Sequence, residues 1–230
     1  MLPVWRPALF HQSNETGWMK ALAMNGKTLW YLADPMCSWC WGFAPVIETI
    51  RQNYSDRLNV ELVLGGLRPG TKAPLGSAQR EDILHHWQAV QRQTGQPFRF
   101  EGALPQGFIY DTEPASRAVV AVSAINPETT FPFFQAIQSA FYVEQADVTR
   151  PDMLALLAVS AGVDAQHFLR AFESDAIKSQ TLVHFHKAQL WGIHAFPTVI
   201  VQNAAGYSLL ARGCCPLEQL RLQLDAWLGK

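Results

Sequence analysis

Residues 28–45 read TLWYLADPMCSWCWGFAP, and the organisation of the chain follows from how this stretch divides. Thr28 to Ala33 is a short apolar run suited to a buried strand. Asp34-Pro35 breaks it, and Cys37-Ser38-Trp39-Cys40 follows at once. From Trp41 onward, Phe43, Val46, Ile47, Ile50 and Tyr54 share one helical stripe. Pro45 lies inside that stripe and is expected to kink the helix, because it removes a backbone donor. Leu58, Val60, Leu62 and Leu64 then alternate as a second strand. The opening is strand, cysteine pair, helix, strand: a βαβ unit.

Downstream the pattern turns helical. Ile83, Leu84, Trp87 and Val90 mark one helix, and Thr112 is placed to cap another that Asn126-Pro127 stops. Phe131, Phe134, Ile137 and Phe141 mark the next. Thr149, Pro151 and Asp152 open a further helix that Gly162 closes, and Asp164 and Ser174 cap two more. Strand character returns at Pro197–Val201 and at Tyr207–Ala211, with a turn at Asn203–Gly206 between them. Pro216 begins a last helix whose Leu217, Leu220, Leu224, Trp227 and Leu228 share a face. The pattern predicts an α/β chain: a thioredoxin-like fold with an inserted all-helical domain. Neither half of the split sheet can bury its faces alone. Residues 25–72 and 191–230 form the expected thioredoxin-like domain and 73–190 the helical insertion. Residues 1–24 show no period and read as an extension, dispensable to a core that starts at Met24.

Composition removes several function classes. The chain has 230 residues, 49% hydrophobic and 16% charged, with 18 Lys+Arg against 19 Asp+Glu. That balance supplies no electrostatic footprint for nucleic acid. No run approaches the roughly 18 apolar residues of a membrane span. The start, broken by Pro3, Arg6 and Pro7, does not resemble a secretory signal, so the expected location is cytoplasmic. Four cysteines are too few for a disulfide scaffold. In a reducing compartment, a close pair is catalytic or metal-binding.

Cys37 and Cys40 carry the chemistry. A helix starting at Cys37 puts free N–H groups and the positive dipole end at its sulfur, favouring a thiolate. One turn on, Cys40 faces the same side and can attack a mixed disulfide on Cys37. Cys37 is therefore expected to be the more acidic and more exposed thiol, and Cys40 the buried one. Zinc shares the C-x-x-C spacing but needs two further ligands. The adjacent Cys214 and Cys215 are poorly spaced for that, and His85, His86, His184 and His186 read as surface or partly buried residues. No metal is expected.

LADPMCSWCWGFAP, the later GIHAFPTVIV and the intervening YDTEPASRAV together resemble the DsbA family, within it the FrnE-like cytosolic branch. The resemblance covers roughly residues 27–228. It implies a thiol–disulfide oxidoreductase, acting as reductase, isomerase or oxidase, that requires no cofactor. Cys37 is then the nucleophile, Cys40 the resolving thiol and Pro197 a cis-proline facing them. Asp34 also matches the branch, and either relays a proton to Cys40 or caps the cysteine-bearing helix. A cis bond would leave the Phe196 backbone free to pair with an extended substrate, while Trp39 faces solvent and His194 stands near the thiolate or serves only as loop. Ser-Trp between the cysteines departs from the Pro-His of the strongly oxidising members. The resemblance also reaches kappa-class glutathione transferases and 2-hydroxychromene-2-carboxylate isomerases. It thus leaves open glutathione as a thiol partner and a glutathione-dependent isomerase or transferase as the alternative. A non-catalytic binding module using the aromatic groove is a third reading. The expected partners are disulfide- or thiol-containing proteins or small molecules, with a homodimer left open. Gly213, Cys214 and Cys215 close the last strand beside the same groove and are either accessory thiol contacts or packing in a tight turn.

Overall fold

A computed structural model describes residues 26–229. The expected extension at residues 1–24 lies outside the described residues. Four strands, β1 (Thr28–Ala33), β2 (Asn59–Leu64), β3 (Thr198–Asn203) and β4 (Gly206–Arg212), form one sheet in the order β2-β1-β3-β4. β1 and β2 run parallel, as a βαβ crossover requires, while β3 is antiparallel to both β1 and β4. A register shift between Val199 and Ile200 marks a bulge at Leu210 of β4, the residue left without a partner.

Helix α1 (Ser38–Asn53) joins β1 to β2, and α8 (Leu217–Leu228) closes the chain. Between β2 and β3 lie α2 (Ser77–Thr94), α3 (Glu113–Ile125), α4 (Thr130–Tyr142), α5 (Pro151–Ser160), α6 (Ala165–Glu173) and α7 (Asp175–Leu190). The fold is the thioredoxin-like α/β architecture with its inserted helices. Asp164 accepts the His167 N–H and Ser174 the Ile177 N–H, so both anticipated caps are made. Thr112 precedes α3, but its side chain does not cap the helix; it accepts the Arg68 N–H at 3.1 Å instead. Pro45 sits inside α1 without ending it.

Every residue of β1 is buried, and the two faces of the strand serve different helices. Tyr31 meets Phe43 of α1 and Phe134 of α4, with ring centroids 5.9 and 6.3 Å apart. Its neighbour Trp30 points the other way. There it meets Trp191, just past the end of α7, at 5.6 Å. His184 of α7 is half-buried, and its Nδ1 accepts the Leu64 N–H at the end of β2. The sheet and the inserted helices share one continuous apolar core.

Two loops must meet for the cysteines to face Pro197, and Gly65 lets them. The Phe196 ring lies over Gly65 so closely that a Cβ there would stand 2.0 Å from it. Gly65→Ala is expected to lower stability by about 1–3 kcal/mol, the range for an overpacked interior. It should also slow thiol chemistry, because the displaced ring belongs to the residue that contacts Cys37. Urea denaturation and thiol-exchange rates on the same variant check both.

Candidate active site

Local chain chemistry sets the cysteines apart. Cys37 is the N-cap residue of α1, in extended conformation, and no side chain caps the helix. The Cys40 and Trp41 N–H groups both bond back to the Cys37 carbonyl. The positive end of the α1 dipole is therefore left open at Cys37. Its thiol donates to the Phe196 carbonyl oxygen at 3.5 Å. Cys37 retains 5% exposure and Cys40 none. Burial, followed by the adjacent Cys37, pushes the Cys40 thiol well above its ordinary value, so it rests protonated. All four cysteines are free thiols.

The Phe196–Pro197 peptide bond is cis. The Pro197 carbonyl accepts the Gly213 N–H at 2.8 Å, which ties the end of β4 to the proline loop. The Phe196 backbone, which the family resemblance left free for an extended substrate, has its carbonyl accepting the Cys37 thiol in this dithiol form. The Phe196 ring is buried, while His194 is exposed on the preceding loop and makes no hydrogen bond to Cys37. Trp39 is half-buried in the first turn of α1, one side packed on the core and the rest open to solvent.

Asp34 is fully buried, and its role differs from a helix cap. Oδ1 accepts the Met36 N–H at 2.9 Å and Oδ2 the Leu67 N–H at 2.7 Å. The carboxylate thus fastens the turn entering α1 to the loop leaving β2. Desolvation raises its pKa to about 6, against the lowering effect of these bonds.

Cys214 and Cys215 are half-buried at the end of β4. Burial, then the neighbouring Cys215 and Cys37, pushes the Cys214 thiol up to about 11, and burial raises Cys215 as well. The structure brings Cys214 within electrostatic reach of Cys37 and leaves both neighbours protonated and unbridged.

Three tyrosines that the sequence did not single out surround the pair. Tyr110 donates its hydroxyl to the Met36 carbonyl, Tyr142 interacts with Tyr110, and Tyr31 lies beside Cys40 and Cys37. The Arg68 guanidinium stands 5.3 Å from the Tyr110 ring centroid. The one signal available was position: Tyr31 occurs shortly before the cysteines, on the strand that leads to them. Among the described residues, no three His, Cys, Asp or Glu side chains converge as metal ligands. None of the described helices is long and apolar enough to cross a membrane.

Several known proteins resemble this chain. A candidate protein disulfide isomerase from Nitrosomonas europaea is 53% identical, with a TM-score of 0.85 over 89% of this chain and 98% of that one. The cytosolic disulfide reductase DsbM from Pseudomonas aeruginosa, solved with glutathione, is 26% identical, with a TM-score of 0.73 over 88% of this chain and 100% of its own. The ClpXP adapter protein SpxH of Halalkalibacterium halodurans is 21% identical over 74% of this chain. The chain spans 56% of the length of that curated relative. Residues 29–225 match the DSBA-like thioredoxin domain, and the chain belongs to that family.

Proposed function

We propose that this protein is a dithiol–disulfide oxidoreductase working through Cys37 and Cys40. The observation that carries the reading is the inequality of the pair. One sulfur sits at an uncapped helix start against the cis-proline loop, and the other is sealed behind it. In the reductive direction, thiolate Cys37 attacks a substrate disulfide and expels one substrate sulfur as a thiolate. Cys40 then gives up its proton and attacks Cys37. An intramolecular disulfide forms, and the second substrate sulfur leaves reduced. The oxidative direction is the reverse. Pro197 and the Phe196 backbone bound the groove that receives the substrate, with Trp39 and His194 at its rim and Cys214 and Cys215 flanking it. Asp34, buried beside Cys40, takes up and returns the Cys40 proton.

No metal or nucleotide enters these steps. The likeness to a glutathione-bound cytosolic disulfide reductase supports glutathione as thiol partner and the cytoplasm as the place of action. That same likeness favours, as second reading, a glutathione-dependent isomerase or transferase in which Cys37 alone reacts.

The cysteine variants separate the readings. With Cys37→Ser, reduction of glutathione disulfide or an unfolded disulfide protein should cease. With Cys40→Ser, a stable mixed disulfide should accumulate on Cys37, visible by mass spectrometry. Undiminished turnover by Cys40→Ser would instead select the single-thiol reading.

Asp34 adds a pH signature. Its folded pKa of about 6 lies above the unfolded value of 3.8. The folded state therefore binds the proton more tightly, and stability from this group is full below pH 4 and lost as pH rises through 6. The difference of about two units corresponds to roughly 3 kcal/mol. Urea midpoints across pH 4–7 should fall less steeply for Asp34→Asn than for the parent. The resolving rate should lose its dependence on a group titrating near 6. Parallel stability curves would remove Asp34 from this role.

A further inference from the structure

The disulfide chemistry proposed above requires negative charge to appear on the Cys40 sulfur, in a place with no exposed surface. When a thiolate opens the Cys37–Cys40 bond at Cys37, the electron pair of that bond goes to Cys40. When Cys40 closes the bond again, it must first lose its proton. Either way a thiolate is formed away from water, and its energy depends on the dipoles fixed around it.

One hydroxyl is placed to meet that charge. Tyr31 has no exposed surface, and its Oη has no hydrogen-bond partner in good geometry among the described residues. Its ring lies against Phe43, one helical turn after Cys40 on α1, which holds the side chain on the face that carries the resolving thiol. The groups acting most directly on the phenol are Cys40 and Cys37, with Cys214 beyond them. Burial, and then those thiols, raise the phenol well above its ordinary value, so it remains protonated and can donate throughout the cycle. An unpartnered buried hydroxyl destabilises a resting protein by about 1–3 kcal/mol. Here the neighbouring Cys40 sulfur, a weak acceptor as a thiol, becomes a strong one only while it is anionic.

Resting on the oxidoreductase reading, we propose that the Tyr31 hydroxyl is the hydrogen-bond donor that stabilises the Cys40 thiolate, both as leaving group when the disulfide opens and as nucleophile when it closes. Tyr31 keeps its own proton in this role. On opening, the incoming thiolate forms a new sulfur–sulfur bond to Cys37 and the Cys37–Cys40 bond breaks. The proton released when that thiol ionised is finally returned to Cys40. On closing, the same steps run backwards.

Tyr31→Phe keeps the ring contacts and removes only the donor. The test measures two rates by rapid acid quench and mass spectrometry: opening of the oxidised protein by glutathione, and closing of the Cys37–glutathione mixed disulfide. Because both pass through the same charged sulfur, both should fall together by about ten- to a hundredfold. The Cys37–Cys40 equilibrium in glutathione buffer should stay within about twofold, since the protonated dithiol and the disulfide gain little from the donor. The urea midpoint should be unchanged or higher. Placing 3-fluorotyrosine at position 31, a more acidic and stronger donor, should accelerate both steps. Rates within twofold of the parent for both substitutions would overturn the proposal. So would a rate loss that comes with a lowered urea midpoint or a displaced equilibrium, which would give Tyr31 a structural role. A parent protein that forms no Cys37–Cys40 bond at all would remove the oxidoreductase reading itself, and this inference with it.

Discussion

A carboxylate with no exposed surface organises this molecule. Asp34 stands at the end of β1 and accepts one N–H from Met36 and another from Leu67. These bonds join the turn that enters α1 to the loop that leaves β2, two segments far apart in the chain. Thr112 adds a third tie from the start of α3, accepting the Arg68 N–H. Without these acceptors the buried Met36 amide would be unpaired, at a cost of about 1–3 kcal/mol, and the part-buried loop amides of Leu67 and Arg68 would lose their fixed partners. The N-terminal end of α1 is held in place by this polar clasp, and the apolar core beneath it supplies bulk stability.

The proline loop is brought to the same point by packing. Phe196 fills the space that Gly65 leaves open, and the Pro197 carbonyl is fixed by the Gly213 N–H. The Phe196 carbonyl is thereby presented to Cys37. Apolar seating, one interstrand bond and the Asp34 clasp converge on a pair of sulfurs that differ in burial and in what surrounds them. Around the inner sulfur the interior is aromatic and closed to bulk solvent, with Tyr31, Tyr110 and Tyr142 all held protonated by burial. In such surroundings small changes in donor placement have large effects on charge, because the local dielectric is low.

Much of the fold was legible from local signals. The run Thr28–Ala33 is apolar throughout and bounded by Asp-Pro, so the strand and its end were both written in the sequence. Asp164 and Ser174 announced α6 and α7 because capping is a short-range interaction. The cysteine pair stood out for the same reason: a C-x-x-C between strand and helix is a local pattern. What was not legible depends on residues distant in sequence. Asp34 read equally well as a cap, because its true partner Leu67 is reached only after the whole of α1 and β2. Thr112 looked like a cap for α3 until the loop carrying Arg68 came close enough to compete for its oxygen. Tyr31 was hidden by the strand itself. When both faces of β1 are buried, alternation disappears, and a tyrosine among leucines reads as core.

Reactivity belongs to Cys37, at the open start of α1, while Cys40 remains sealed, and competitive alkylation tests this most directly. Reduced native protein is treated with limiting iodoacetamide at neutral pH, quenched at intervals and mapped by peptide mass spectrometry. The account predicts that Cys37 is modified well before Cys40, which should react at a comparable rate only after unfolding in urea. Labelling of Cys40 in the native protein at a rate equal to or above that of Cys37 would contradict it.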